Sequence, residues 1–120
     1  MASDKDYCDY ATYVALKELG YNYPLELITD YFGVLDVPFH DKKIHLYDAQ
    51  KWLREEKNIE VNASFDKMEN GWIAFIQRLD YPDMCGTDVF STIYNTYESA
   101  LLVSIKEAVK ILKEELNEET

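Results

Sequence analysis

One stretch of this chain limits its possible folds more than any other. Between residues 47 and 116 a short amphipathic helix, three strand-like runs and a long amphipathic helix follow one another without interruption. Residues 47–57 put Ala49, Trp52 and Leu53, with Tyr47 at the margin, on one helical face and Lys51, Arg54, Glu55 and Glu56 on the other. Ile59, Val61, Ala63 and Phe65 then alternate with Glu60, Asn62, Ser64 and Asp66, the period-two pattern of a strand with one dry and one wet face. Asn70-Gly71 is a hairpin turn signal. The next run, residues 72–79, is apolar at both parities: Ile73, Phe75 and Leu79 on one, Trp72, Ala74 and Ile76 on the other. A third strand is expected over about 88–94. The last helix begins behind Thr96, a capping hydroxyl, and turns Tyr97, Leu101, Ile105, Ala108 and Leu112 inward, flanked by Leu102, Val109 and Leu116.

This pattern predicts an α+β fold: a three- or four-stranded, mainly antiparallel sheet with the long C-terminal helix across one face, and an N-terminal helix. That first helix is expected over 10–19, with Asp9 as its cap and Gly20 ending it. Ala11, Ala15, Leu16 and Leu19 share its apolar face, and Tyr10 and Tyr13 lean the other way. Residues 25–39 fit either state, with extended structure favoured after Gly33, and 41–43 read as a turn. In the core, Trp52 is expected to face inward and Phe75 to lie beneath the last helix. The second parity of strand 72–79 then needs cover, from the first helix or from a second subunit.

At 120 residues the chain fits a single domain, 1–120, and its 48% hydrophobic and 14% aromatic content is that of a folding chain. No apolar run is long enough to cross a bilayer, and residues 1–9 lack the basic-then-apolar order of a signal peptide, so the expectation is a cytoplasmic protein. Two cysteines, Cys8 and Cys85, read as free thiols. With 23 acidic and 12 basic residues the net charge is -11, which repels nucleic acid at long range. Between Met68 and Ile105 the one basic residue is Arg78, so no cationic stripe tracks a phosphate backbone. A basic protein partner is compatible with the same charge.

Catalytic signatures are scarce. His40 and His45 have neither helical nor strand metal-pair spacing, the cysteines have no motif partner, and the four glycines form no phosphate cradle. Asp80 and Asp83 are loop carboxylates, which are mostly solvated. The expectation is a non-enzyme without cofactor or metal. The ten tyrosines are the remaining oddity: Tyr7, Tyr10, Tyr13, Tyr21, Tyr23 and Tyr31 fall in the first quarter, and tyrosine suits surfaces that are both apolar and hydrogen-bonding. Packing around the rim of a small core is the plainer account of them.

The segments Leu46-Tyr47-Asp48-Ala49-Gln50-Lys51-Trp52-Leu53-Arg54-Glu55, Thr96-Tyr97-Glu98-Ser99-Ala100-Leu101 and Ile105-Lys106-Glu107-Ala108 resemble a group of small proteins recurrent in phages, prophages and genomes of Bacteroidales-type gut bacteria. Leu16-Lys17-Glu18-Leu19-Gly20-Tyr21 is similar to the end of the opening helix in many of them. The resemblance implies a setting in mobile elements and a cytoplasmic α+β domain, and it transfers no reaction and no site residues. Strand 72–79, the loop at 81–86 and the Tyr97 helix also share an order of elements with HicB-like antitoxin domains.

The functional expectation is therefore a non-catalytic accessory protein of a phage or mobile element that binds a host protein or small ligand. The alternatives are a virion-associated structural protein and an acidic, HicB-like inhibitor of a basic partner. Candidate contact residues are Tyr7, Tyr10, Tyr13, Trp72 and Ile76, in a homo-oligomer that binds neither nucleic acid nor membrane.

Overall fold

The computed structural model describes residues 7–23, 26–27, 42–80 and 87–118. Its elements run α1 (Tyr10–Glu18), β1 (Glu26–Leu27), β2 (Lys42–Lys43), α2 (Leu46–Lys57), β3 (Ile59–Asp66), β4 (Gly71–Arg78), β5 (Thr87–Tyr94) and α3 (Tyr97–Glu118). Strands β3, β4 and β5 form an antiparallel meander in that order, and β1 pairs antiparallel with β2 in a separate small sheet. The fold is α+β, with the long C-terminal helix against the sheet. The extended run expected after Gly33 lies outside the described residues. Lys42 and Lys43, read from sequence as a turn, instead pair with Leu27 and Glu26. Two charged residues carry no alternation, so only the remote partner strand makes them β.

The helix ends follow local chemistry. Asp9 caps α1 by accepting the Thr12 N–H, and Gly20 follows the helix at φ 102°, where a side chain would be strained. His45 caps α2 through Nδ1, which accepts the Tyr47 N–H at 3.2 Å, and Asn58 ends it in the left-handed region. Thr96 Oγ1 accepts the Ser99 N–H at the start of α3, as its hydroxyl predicts.

The turn between β3 and β4 fixes the register of that pair, while β5 joins β4 with a register shift between Trp72 and Ala74. Asp66 Oδ1 accepts the N–H groups of Met68 and Glu69, and Asn70 takes φ 55°. Asp66 then pairs with Gly71, and the ladder runs back to Ile59 against Arg78. Gly71 is required on packing grounds, because a Cβ there would collide with Cγ2 of Ile93.

This register corrects the assignment of the faces of β4. Ile59, Val61 and Ala63 are buried, and their cross-strand partners Arg78, Ile76 and Ala74 share that face. Trp72, Ala74 and Ile76 therefore turn toward the helices. Phe75, opposite Asn62, lies on the far face with Ile73 and outside the core cluster. Both parities of β4 are apolar, so its own sequence cannot choose between them. The choice falls to β3, which has only one apolar parity.

All three helices contribute to a single core on that side. Leu16 and Leu19 of α1 and its C-terminal end, Trp52 and Leu53 of α2, and Leu101, Ile105 and Leu112 of α3 join Ile59 and Val61 in one cluster. Helix α1 thus packs beside α3 and does not cover the far face. The ion pairs Lys106 to Asp9 at 2.6 Å and Lys113 to Glu18 at 2.7 Å run along this junction. Both are exposed and add little energy. Within α1, Tyr13 and Thr12 are buried and Ala11 is exposed, the reverse of the sequence expectation for Tyr13 and Ala11. A two-turn helix wedged between neighbours buries more of its circumference than one apolar stripe predicts. Ser104 is also buried in α3, its hydroxyl donating to Leu101 O at 2.7 Å.

Candidate functional site

The strands outrun the helical cover at the turn end of the β3–β4 hairpin. Helix α3 begins at Tyr97, whose ring meets Trp72 edge-on at 5.3 Å. Beyond Trp72 on the same face lies its cross-strand partner Phe65, 5.2 Å away and 48% exposed. On the other side of Tyr97 stands Tyr47, at the start of α2, with ring centroids 6.4 Å apart and 47% exposure. Tyr47 in turn stacks at a tilt on His45 at 5.1 Å, and His45 meets Tyr7 edge-on at 5.4 Å. Six aromatic rings thus form one continuous row, Tyr7, His45, Tyr47, Tyr97, Trp72 and Phe65, buried at Tyr7 and open at Tyr47 and Phe65. Past Phe65 the turn presents Met68, 95% exposed, on a backbone held by Asp66.

Backbone and polar contacts hold the row in place. Tyr7 forms an isolated bridge with His45, and the Cys8 N–H donates to Ile44 O at 2.9 Å. The Tyr97 hydroxyl donates to Asn62 Oδ1, which also accepts the N–H of Ala63, and Gln50 Nε2 donates to Val61 O at 2.8 Å. These contacts occupy the outer edge of β3, an edge strand whose polar groups would otherwise be open to another chain. In sequence a carboxylate follows three of the rings, Asp48 after Tyr47, Asp66 after Phe65 and Glu98 after Tyr97, but Asp66 turns to the opposite face of its strand.

The five residues expected from sequence as contacts are scattered. Tyr7 is buried and belongs to the row. Trp72 is half-buried within it. Ile76 packs against the core cluster. Tyr13 is buried in α1, stacked at 6.1 Å on Tyr10, and Tyr10 is exposed on α1. Sequence reasoning missed His45, Tyr47, Phe65 and Tyr97 as site residues. Phe65 and Trp72 pair across a four-residue loop, 67–70, whereas a two-residue turn at Asn70-Gly71 would have set Phe65 opposite Ile76, so the local signal does not bring these rings together. The meeting of Tyr47 with Tyr97 has no local signal, because the two stand on different helices.

Elsewhere, burial and hydrogen-bonded neighbours shift the titratable groups. Burial pushes the Cys8 thiol up to about 12, with Asp9 adding to the shift and Lys106 opposing it. A thiol held neutral in this way is a poor nucleophile. The Tyr21 phenol is also raised, first by burial and then by Asp48, and among the described residues its hydroxyl has no hydrogen-bond partner. Tyr23 donates to Glu55 at 2.7 Å, which pushes its phenol up to about 12. Burial alone would raise the Asp9 carboxyl, but Lys106 and Thr12 hold it below the usual range. Among the described residues no group of three His, Cys, Asp or Glu side chains is placed to hold a metal, and His40 lies outside them. No helix among the described residues is long and apolar enough to cross a membrane.

Fold and site together define an α+β protein with its helices on one side of a three-stranded meander and an aromatic row at the end they leave uncovered. In comparison with known proteins, the chain matches no family model, no curated protein and no solved structure.

Proposed function

We propose that this is a non-catalytic binding protein whose contact surface is the aromatic row from Tyr47 to Phe65, with Met68 beyond it. The observation that carries the reading is the continuity of the row together with its half-exposed ends. Aromatic side chains bring large apolar area at low conformational cost, and in tyrosine a hydrogen-bonding tip, the composition of contact surfaces. The resemblance of the Trp52 and Tyr97 motifs supports a setting in a phage or mobile element, with a host protein or small ligand in the cytoplasm as its target. A pull-down from a Bacteroidales-type lysate, analysed for proteins and small molecules, compares the parent with Tyr47→Ser/Phe65→Ser and with Tyr10→Ser. Partners retained by the parent and by Tyr10→Ser but lost with the double variant support the reading. Partners lost only with Tyr10→Ser move the surface to α1, and recovery unaffected by either variant removes the row from the function.

Self-association belongs to the same proposal and uses the far face of the sheet. Ile73 and Phe75 give that face an apolar centre opposite Ser64 and Asn62. Like charge opposes such a homo-oligomer, which strengthens as salt screens a net charge of -11. Light scattering across salt and protein concentration reads it directly, and a monomer mass throughout removes it.

A further inference from the structure

We infer that the aromatic row seats a short basic segment of a partner protein, an extended stretch of chain carrying arginine or lysine. The inference rests on the reading of the row as a binding surface and adds the chemistry of what it binds. Three features of the site carry it: its length, its bordering charge and the field of the whole chain.

Tyr47, Tyr97, Trp72 and Phe65 follow one another at centroid steps of 6.4, 5.3 and 5.2 Å. Laid end to end, these steps reach at most about five residues of extended chain at about 3.3 Å per residue. Acidic residues stand at the two helix starts that carry the row, Asp48 one residue past Tyr47 and Glu98 one residue past Tyr97, and Glu69 stands exposed in the turn, while Asp66 turns to the other face of β3 from Phe65. Lys51 and Lys67 oppose them, both exposed on flexible stems. The faces of Trp and Tyr rings attract cations, and a nearby carboxylate reinforces that preference. The helix poles beneath Asp48 and Glu98 offset part of their local pull. The long-range term is therefore the net charge of -11, which draws a basic segment in and orients it before the rings make contact.

The same field disfavours the other occupants of an aromatic row. Single-stranded nucleic acid stacks well on such rings but brings one negative charge per nucleotide against the carboxylates. A second copy of the chain brings its own net charge of -11 to the same border. A neutral segment gains the ring contacts but leaves the carboxylates without a counter-charge.

The test titrates the full chain with labelled heptapeptides that alternate Leu with Arg or Lys, with matched peptides carrying Glu or Ser, and with a short single-stranded DNA. Binding is read by fluorescence anisotropy at about 0.05 M and about 0.3 M salt. Tyr47→Ser, Phe65→Ser and Asp48→Asn/Glu98→Gln are compared with the parent, with Leu116→Ser as the control at the far end of α3, each melted first to show that it folds. The expected result is preferential binding of the basic peptides that weakens by about tenfold across that salt range. It weakens by about tenfold in each ring variant, falls in the double carboxylate variant and is unchanged in Leu116→Ser. Ring-dependent binding that favours the neutral or acidic peptides or the DNA overturns the inference and leaves the row as a binding surface. The absence of any ring-dependent binding overturns both.

Discussion

The Tyr97 hydroxyl, at the first residue of the last helix, donates to Asn62 Oδ1 in the edge strand at 3.0 Å. The same oxygen accepts the Ala63 N–H at 2.8 Å, so one side chain both closes the strand edge and receives the aromatic row. Tyr97→Phe removes one neutral hydrogen bond and is expected to cost about 0.5–1.5 kcal/mol. Asn62→Ala also leaves the Ala63 N–H open and is expected to cost more, about 1–3 kcal/mol. A double-mutant cycle in urea measures the coupling, and additive single effects would show that the two side chains act separately.

The two faces of the sheet differ in what they lose on truncation. Trp52 is 2% exposed in the core and donates its indole N–H to Asn22 Oδ1 at 3.2 Å. Trp52→Ala is expected to cost about 3–5 kcal/mol. Phe75, half-buried on the far face, is expected to cost less than about 2 kcal/mol on truncation to alanine, since no helix-side cavity is left behind. Equal losses in thermal or chemical melts would put Phe75 back under the last helix.

Tyr21 is almost wholly buried against Trp52, at 5.4 Å between centroids, and among the described residues its hydroxyl has no hydrogen-bond partner. A buried hydroxyl in that state costs about 1–3 kcal/mol, so Tyr21→Phe is expected to leave stability unchanged or to raise it. A fall in the melting temperature of Tyr21→Phe would reveal a partner for the hydroxyl.

Cys8 links the fold to alkaline pH. Its thiol rises from 9.0 to about 12 on folding, mainly through burial, so the unfolded chain releases this proton at lower pH than the native one. The stabilisation is intact below pH 9 and is lost as pH rises from 9 toward 12. Urea midpoints across that window are expected to fall less steeply for Cys8→Ala than for the parent. Native Cys8 is also expected to resist iodoacetamide near neutral pH and to react once the chain is unfolded. Rapid native labelling at this position would contradict its burial.

Local patterning was sufficient for most of the elements. The alternation from Ile59 to Asp66, the Asn70-Gly71 turn, the caps at Asp9 and Thr96 and the stripe of α3 each act over a few residues, so the sequence carries them openly. Trp52 was assignable to the core for the same reason. The inward face of β4 was not, because Trp72, Ala74 and Ile76 and the opposite set Ile73 and Phe75 are equally apolar. Only pairing with β3, whose single apolar parity must stay dry, decides between them. The pairing of Lys42 and Lys43 with Leu27 and Glu26, and the burial of Tyr13, likewise depend on partners remote in sequence. The aromatic row is the fullest case. Each of its rings was visible in the sequence as a tyrosine, histidine, tryptophan or phenylalanine, but their contact requires two helix starts, a hairpin end and the N-terminal bridge to converge. That convergence belongs to tertiary packing, because no periodicity within one element records where the end of another will lie.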